Sequence, residues 1–339
     1  MTSKRLLSLG LLVFLGCTAG SATPPQQRES GPGGKEYVAT DVDVILDDDD
    51  SEGFRLYLPR ERPPGARFPV VVFLHGYQSM GIDYYRWWLT HLGRRGVVVI
   101  FPMYMERTTL PDVFARNAIK GIERALDRIH EDGISINTDQ VAYVGHSGGG
   151  ALAANLAVHS GRGIVPLKPR IVLTTAAGRC MYCTQMRDPG IPMENFADMP
   201  RDILLAVMAF SDDDVVGQEL SRRIFLESSQ IPGGRKIYLE AQSDEVGTPA
   251  LKANHRAPAS GSSESGDFVT DGVDWYGTWK MLDALMGCEF EGKWCDVALG
   301  NGDAQREMGT WSDGTPVARM KGPEDLDMDA TSAQDPFQL

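Results

Sequence analysis

A serine crowded by glycines constrains this chain more tightly than any other feature. In Val141-Ala142-Tyr143-Val144-Gly145-His146-Ser147-Gly148-Gly149-Gly150 an apolar run meets four glycines and leads into the alanine-rich stretch Ala151-Leu152-Ala153-Ala154-Asn155-Leu156-Ala157. Glycine loses more conformational freedom on folding than any other residue, so such a cluster marks a backbone path that side chains would obstruct. A buried strand over Val141–Val144 and a helix over Gly149–His159 leave a turn too tight for Cβ atoms on either side of Ser147. The hydroxyl then stands exposed at the strand's end.

The same alternation of apolar strands and helical stretches runs from Phe68 onward. Strands are expected at Val70–Leu74, Val97–Phe101, Val141–Val144, Ile171–Thr175, Ile203–Ala209 and Lys236–Leu239. Helices are expected at Tyr84–Arg94, Asp112–His130, Gly149–His159, Gln218–Glu227 and Trp275–Met286. This is the pattern of an α/β protein with a mostly parallel sheet and helices on both faces. Ahead of it, Tyr37–Leu46 and Phe54–Leu58 read as two strands around the acidic turn Asp47 to Gly53, a solvated hairpin turn rather than a calcium loop. With 339 residues, 42% of them hydrophobic, the chain can bury a substantial core. One domain over 37–317 is expected. A net charge of −13 and the lack of a basic stripe exclude a nucleic-acid partner.

Strand, Gly-His-Ser-Gly-Gly, helix is the nucleophile-elbow motif in its required context. A serine hydroxyl attacks only when a base lies within hydrogen-bond reach and a third group orients that base. The base and acid of such an elbow follow it in the order acid, then histidine. Of six histidines, His75, His91 and His130 precede the elbow, His146 sits within it and His159 lies on the next helix. His255, in a polar loop after Lys236–Leu239, is the histidine that satisfies the order.

These motifs resemble the α/β-hydrolase superfamily over about residues 53 to 290. The resemblance is nearest to the dienelactone-hydrolase-like, platelet-activating-factor-acetylhydrolase-like and polyester-hydrolase (cutinase-like) branch. In that superfamily the acid often lies in a D-x-V-V segment, which implies Asp213 in Asp213-Asp214-Val215-Val216, with Asp212 and Asp214 as helix-capping or solvated neighbours. His-Gly-aromatic is a familiar oxyanion loop there, so His75-Gly76-Tyr77 implies that the N–H groups of Tyr77 and Gly148 receive the developing oxyanion. Polyester hydrolases of the branch place a Trp after the sixth strand. Here Ala176 to Cys183 occupies that place, with Arg179 available to an acidic acyl group or to solvent.

The N-terminus joins a basic start at Lys4 and Arg5 to an apolar run Leu6–Leu15, too short to span a bilayer, and reads as an export signal over 1–17. Its end, Phe14-Leu15-Gly16-Cys17, resembles the lipobox of bacterial lipoproteins, which implies lipidation of Cys17. Setting Cys17 apart leaves Cys180, Cys183, Cys288 and Cys295, an even set for an oxidising compartment. Chain proximity pairs Cys288 with Cys295 and Cys180 with Cys183, and a zinc site is the weaker alternative. Residues 18–36 read as a flexible tether and 318–339 as an acidic disordered tail, while 296–317 carry too many apolar residues for a tail and have no assigned role.

The expected protein is an exported serine hydrolase that cleaves carboxylic esters by a Ser147-His255-Asp213 acyl-enzyme mechanism, without metal or cofactor. Its partners are a small-molecule, lipid or polymer ester and, through Cys17, a bacterial envelope membrane, the outer one by expectation; without lipidation it is secreted. A peptidase or amidase with the same triad, and a non-catalytic surface binding protein on the same fold, are the alternatives.

Overall fold

The computed structural model describes residues 21–81, 83–179, 190–261 and 269–329. Eight strands form one sheet in the order β1-β2-β4-β3-β5-β6-β7-β8. They are β1 (Val42–Asp47), β2 (Phe54–Pro59), β3 (Phe68–Leu74), β4 (Val98–Pro102), β5 (Ile136–His146), β6 (Ile171–Thr175), β7 (Leu204–Phe210) and β8 (Lys236–Ala241). β2 is antiparallel to both of its neighbours, and the remaining pairs are parallel. Successive residues of a strand face opposite sides, and here both sides are covered. Val71, Phe73, Val99, Val144, Leu173 and Met208 join one apolar layer with α1 (Arg86–Arg94) and α5 (Trp279–Met286). Val70, Val72, Val98, Tyr143 and Val207 join the other with α2 (Phe114–Glu131), α3 (Gly148–Gly161) and α4 (Glu219–Glu227).

β5 begins five residues earlier than its apolar run, because the polar stretch Ile136 to Gln140 extends it after a register shift opposite Phe68 to Val70. The acidic hairpin turn is charge-matched: Arg124 of α2 pairs with Asp47 and Asp50, and Arg55 pairs with Asp48. A one-turn π-helical segment, Asp274–Thr278, precedes α5.

Two expectations for the chain ends need correction. The described part of the expected tether, residues 21–36, is seated on the domain. Thr248 donates its N–H to the Ala22 carbonyl at 2.8 Å, Ser312 to the Thr23 carbonyl at 3.0 Å, and Gly33 to Asp283 Oδ2 at 2.8 Å. Arg28 pairs with Glu307 and lies over the Tyr276 ring. Of the expected tail, residues 318–329 also pack: Lys321 and Glu240 exchange main-chain hydrogen bonds beside β8, Met320 is buried, and Arg306 pairs with Glu324 and Asp325. The stretch 296–317 contributes Met308, Trp311 and Val317 to the core. A Cβ on Gly247 would lie 2.3 Å from the Trp311 ring, so that indole stacks directly on main chain.

Candidate active site

The parallel strands deliver their C-terminal ends to one edge of the sheet, and the residues singled out by motif meet there. β5 ends at His146, α3 begins at Gly148, and Ser147 between them has φ 56° and ψ −122°. A non-glycine residue in this region is strained and persists when its surroundings over-determine it. Ser147 donates its N–H to the Thr175 carbonyl at 3.0 Å, and its own carbonyl accepts from Gly150 at 2.9 Å and Gly178 at 3.1 Å. Two of the glycines are sterically required. A Cβ on Gly145 would lie 2.0 Å from the Gly149 carbonyl oxygen, and one on Gly149 would lie 2.0 Å from the Leu74 carbonyl oxygen. Gly148 is different: a Cβ there meets only ordinary contacts, with Ile191 Cδ1 at 3.5 Å and the Tyr77 nitrogen at 3.6 Å.

His255 arrives from the loop after β8, which is tied to the end of β7 by a hydrogen bond from Asp212 N–H to the Ala253 carbonyl at 2.9 Å. Its Nε2 lies 2.9 Å from Ser147 Oγ and its Nδ1 lies 2.9 Å from Asp213 Oδ2. The other carboxylate oxygen of Asp213 accepts from the N–H groups of Val215 and Val216, both at 3.1 Å, which turns the side chain toward the imidazole. Asp212 instead accepts from Ser243 at 2.6 Å, and Asp214 is exposed. Neither caps α4, whose preceding residue is Gln218.

Tyr77, in the loop after β3, brings its nitrogen beside the first residue of α3. The first N–H groups of a helix have no intrahelical acceptor, and Gly148, the residue after Ser147, carries the first of them in α3. Ile191 forms the facing wall, held by donation of its N–H to the Arg179 carbonyl at 2.8 Å. Sequence reasoning missed Ile191, which lies well beyond the end of β6 and in no motif.

It also gave no role to Tyr85 and His146. Gly76 N–H donates to Tyr85 Oη at 2.8 Å, Tyr85 Oη–H donates to His146 Nδ1 at 2.7 Å, and His146 Nε2–H donates to the His255 carbonyl at 2.8 Å. Burial, reinforced by the neighbouring His255, lowers the His146 pKa to about 3, and burial lowers that of His75 to about 4. Both rings are neutral at neutral pH. Among the described residues no group of three or more His, Cys, Asp or Glu side chains could hold a metal ion. Cys288 and Cys295 form a disulfide. Cys17, Cys180 and Cys183 lie outside the described residues.

The strand order, the lone antiparallel β2 and the strand-turn-helix around Ser147 give the chain an α/β-hydrolase fold. More particularly, the chlorophyllase family model matches residues 50–191. The match spans β2 to β6 with the Tyr77 loop and the elbow, and it stops before Asp213 and His255. No curated protein matches the chain.

Proposed function

We propose that this protein hydrolyses carboxylic esters through an acyl-enzyme on Ser147. The observation that carries the reading is the continuous hydrogen-bond chain from Asp213 through His255 to Ser147 Oγ, 2.9 Å at each link, ending at a strained turn beside the start of a helix. His255 Nε2 takes the hydroxyl proton as Oγ bonds to the ester carbonyl carbon, and the displaced electron pair becomes an oxyanion facing the N–H groups of Tyr77 and Gly148. Collapse of this intermediate expels the alcohol, which receives the proton from His255. Water, deprotonated by His255, then attacks the acyl-Ser147 carbonyl, and collapse of that intermediate releases the acid as His255 returns the proton to Ser147 Oγ. Asp213 holds the imidazole and stabilises its protonated form throughout.

Short- and long-chain nitrophenyl esters assayed beside peptide anilides test the reading, and the chlorophyllase match adds chlorophyll to the panel. Turnover of esters well above anilides, lost in Ser147→Ala, is expected. Anilide turnover equal to or above ester turnover would favour the amidase reading, and binding without turnover the non-catalytic one.

We also propose export and lipidation at Cys17, supported by the lipobox-like end of the signal. No helix among the described residues is long and apolar enough to cross a membrane. Wild-type protein should partition with membranes and Cys17→Ser should not. An unmodified N-terminus beyond Cys17 contradicts the proposal.

A further inference from the structure

We propose that His146 is a positioning residue that ties the main chain of His255 to the oxyanion loop through Tyr85. The proposal rests on the reading of Ser147, His255 and Asp213 as a triad. The evidence is the unbroken run Gly76 N–H to Tyr85 Oη to His146 to the His255 carbonyl, with links of 2.8, 2.7 and 2.8 Å. It joins three segments far apart in sequence: the loop after β3, the elbow after β5 and the histidine loop after β8. Tyr85, His146 and His255 are at most 6% exposed, so water competes poorly for these bonds.

The geometry makes His255 a residue held at two points. Asp213 fixes its ring through Nδ1, and His146 fixes its carbonyl. A ring anchored at Nδ1 alone still shifts with its backbone, and displacing a reacting group by about 1 Å can cost about 100-fold in rate. The far end of the histidine loop is pinned to the start of α1, where the Trp87 and Trp88 N–H groups donate to the Ser260 carbonyl and Oγ, both at 2.9 Å. His146 supplies the corresponding hold at His255 itself.

The chain also needs its acceptor and donor pattern. The His255 carbonyl can only accept, so Nε2 of the neutral His146 ring carries the proton; its Nδ1 is then the acceptor, and Tyr85 Oη, which receives the Gly76 N–H, donates to it. The two imidazole rings lie 5.1 Å apart. A protonated ring at position 146 would oppose the positive charge that His255 acquires during the reaction, whereas the neutral tautomer offers only an N–H dipole. Gly76 has a role here as well: a Cβ would lie 3.1 Å from Tyr85 Oη and 3.4 Å from His146 Nδ1, inside the chain of bonds.

The test compares His146→Phe, His146→Gln and Tyr85→Phe in kcat, KM and melting temperature on a nitrophenyl ester, with a fluorophosphonate label located by mass spectrometry. His146→Phe should lower kcat about 10- to 100-fold while KM stays within about twofold. His146→Gln, whose amide keeps an acceptor and a donor, should recover most of that loss. Tyr85→Phe should lower kcat by a smaller factor, and it decides the matter if His146→Phe does not fold. A wild-type kcat in folded His146→Phe, a Gln variant no better than the Phe variant, or a wild-type kcat in Tyr85→Phe overturns the proposal. Those results with the label on Ser147 overturn it alone; a wild-type label on another residue overturns the triad reading and this proposal with it.

Discussion

His255 and His91 are each held between an aspartate oxygen and a hydroxyl, and the contrast separates the arrangement we propose as reactive from a structural one. His255 lies 2.9 Å from Asp213 and 2.9 Å from Ser147 Oγ. His91 lies 3.0 Å from Asp283 and 3.2 Å from Tyr37 Oη. Around His91 everything closes inward. Its ring stacks on Trp279, Gln27 donates to Tyr37 Oη, and Asp283 Oδ2 also accepts from Gly33 N–H. Burial pushes the Asp283 carboxyl up, yet His91, Arg95 and the Gly33 N–H hold it below the usual carboxylate range. The result anchors residues 21–37 to α1 and α5. Around Ser147 the hydroxyl sits at a strained turn that leads into α3, and the Tyr77 nitrogen lies beside Gly148, the first residue of that helix. The histidine, acid and hydroxyl are common to both; a serine hydroxyl at a strained strand-to-helix turn belongs to one.

Breaking each trio should therefore give different losses. Ser147→Ala and His255→Ala are each expected to lower kcat on the order of 10⁶-fold without lowering the melting temperature. Asp213→Ala should cost about 10⁴-fold, less than either because the acid orients the imidazole without exchanging protons. Steady-state kinetics on a nitrophenyl ester checks both. In the other trio, His91→Ala leaves Asp283 buried without its main partner, and unfolding free energy should fall by about 3 to 5 kcal/mol in a urea titration. The folded fraction should retain wild-type kcat; a large loss there would erase the contrast.

A buried histidine without any carboxylate sharpens the comparison further. His75 donates Nδ1–H to the Gly76 carbonyl at 2.8 Å, stacks on Tyr104, and its Nε2 has no hydrogen-bond partner among the described residues. Its pKa of about 4 lies below the ordinary 6.5, so between these values the unfolded chain binds a proton that the folded protein refuses. The stabilisation is complete above about pH 6.5 and is lost as the pH falls toward 4. Asp271, raised by burial to about 6, acts in the opposite sense over part of that window. Comparison with His75→Asn isolates the histidine: the variant's unfolding free energy should depend on pH less steeply between 4.5 and 6, by up to about 1.4 kcal/mol per pH unit. Identical slopes would contradict the assignment.

What was legible in the sequence divides along the same line. The elbow, the order of acid and histidine, and most strands follow from short-range patterns, and Ser147, Asp213 and His255 meet as those patterns imply. The start of β5 was hidden because Asn137 to Gln140, which link Ile136 to the apolar run, are polar and lie across a register shift against β3. Residues 21–36 look like a tether because they carry almost nothing apolar. Their hold comes from Asp283, Glu307 and Ser312, more than 200 residues away, and composition carries no trace of such partners. The histidine inside the elbow was visible in the motif, but its acceptor is a carbonyl 109 positions later.

The most direct test of the account is the site of covalent labelling by a fluorophosphonate, read by mass spectrometry in wild-type protein, His255→Ala and His91→Ala. The account predicts a label on Ser147 in wild type, the same label at full rate in His91→Ala, and its near-complete loss in His255→Ala. A label on another residue, or labelling of Ser147 at the wild-type rate in His255→Ala, would contradict it.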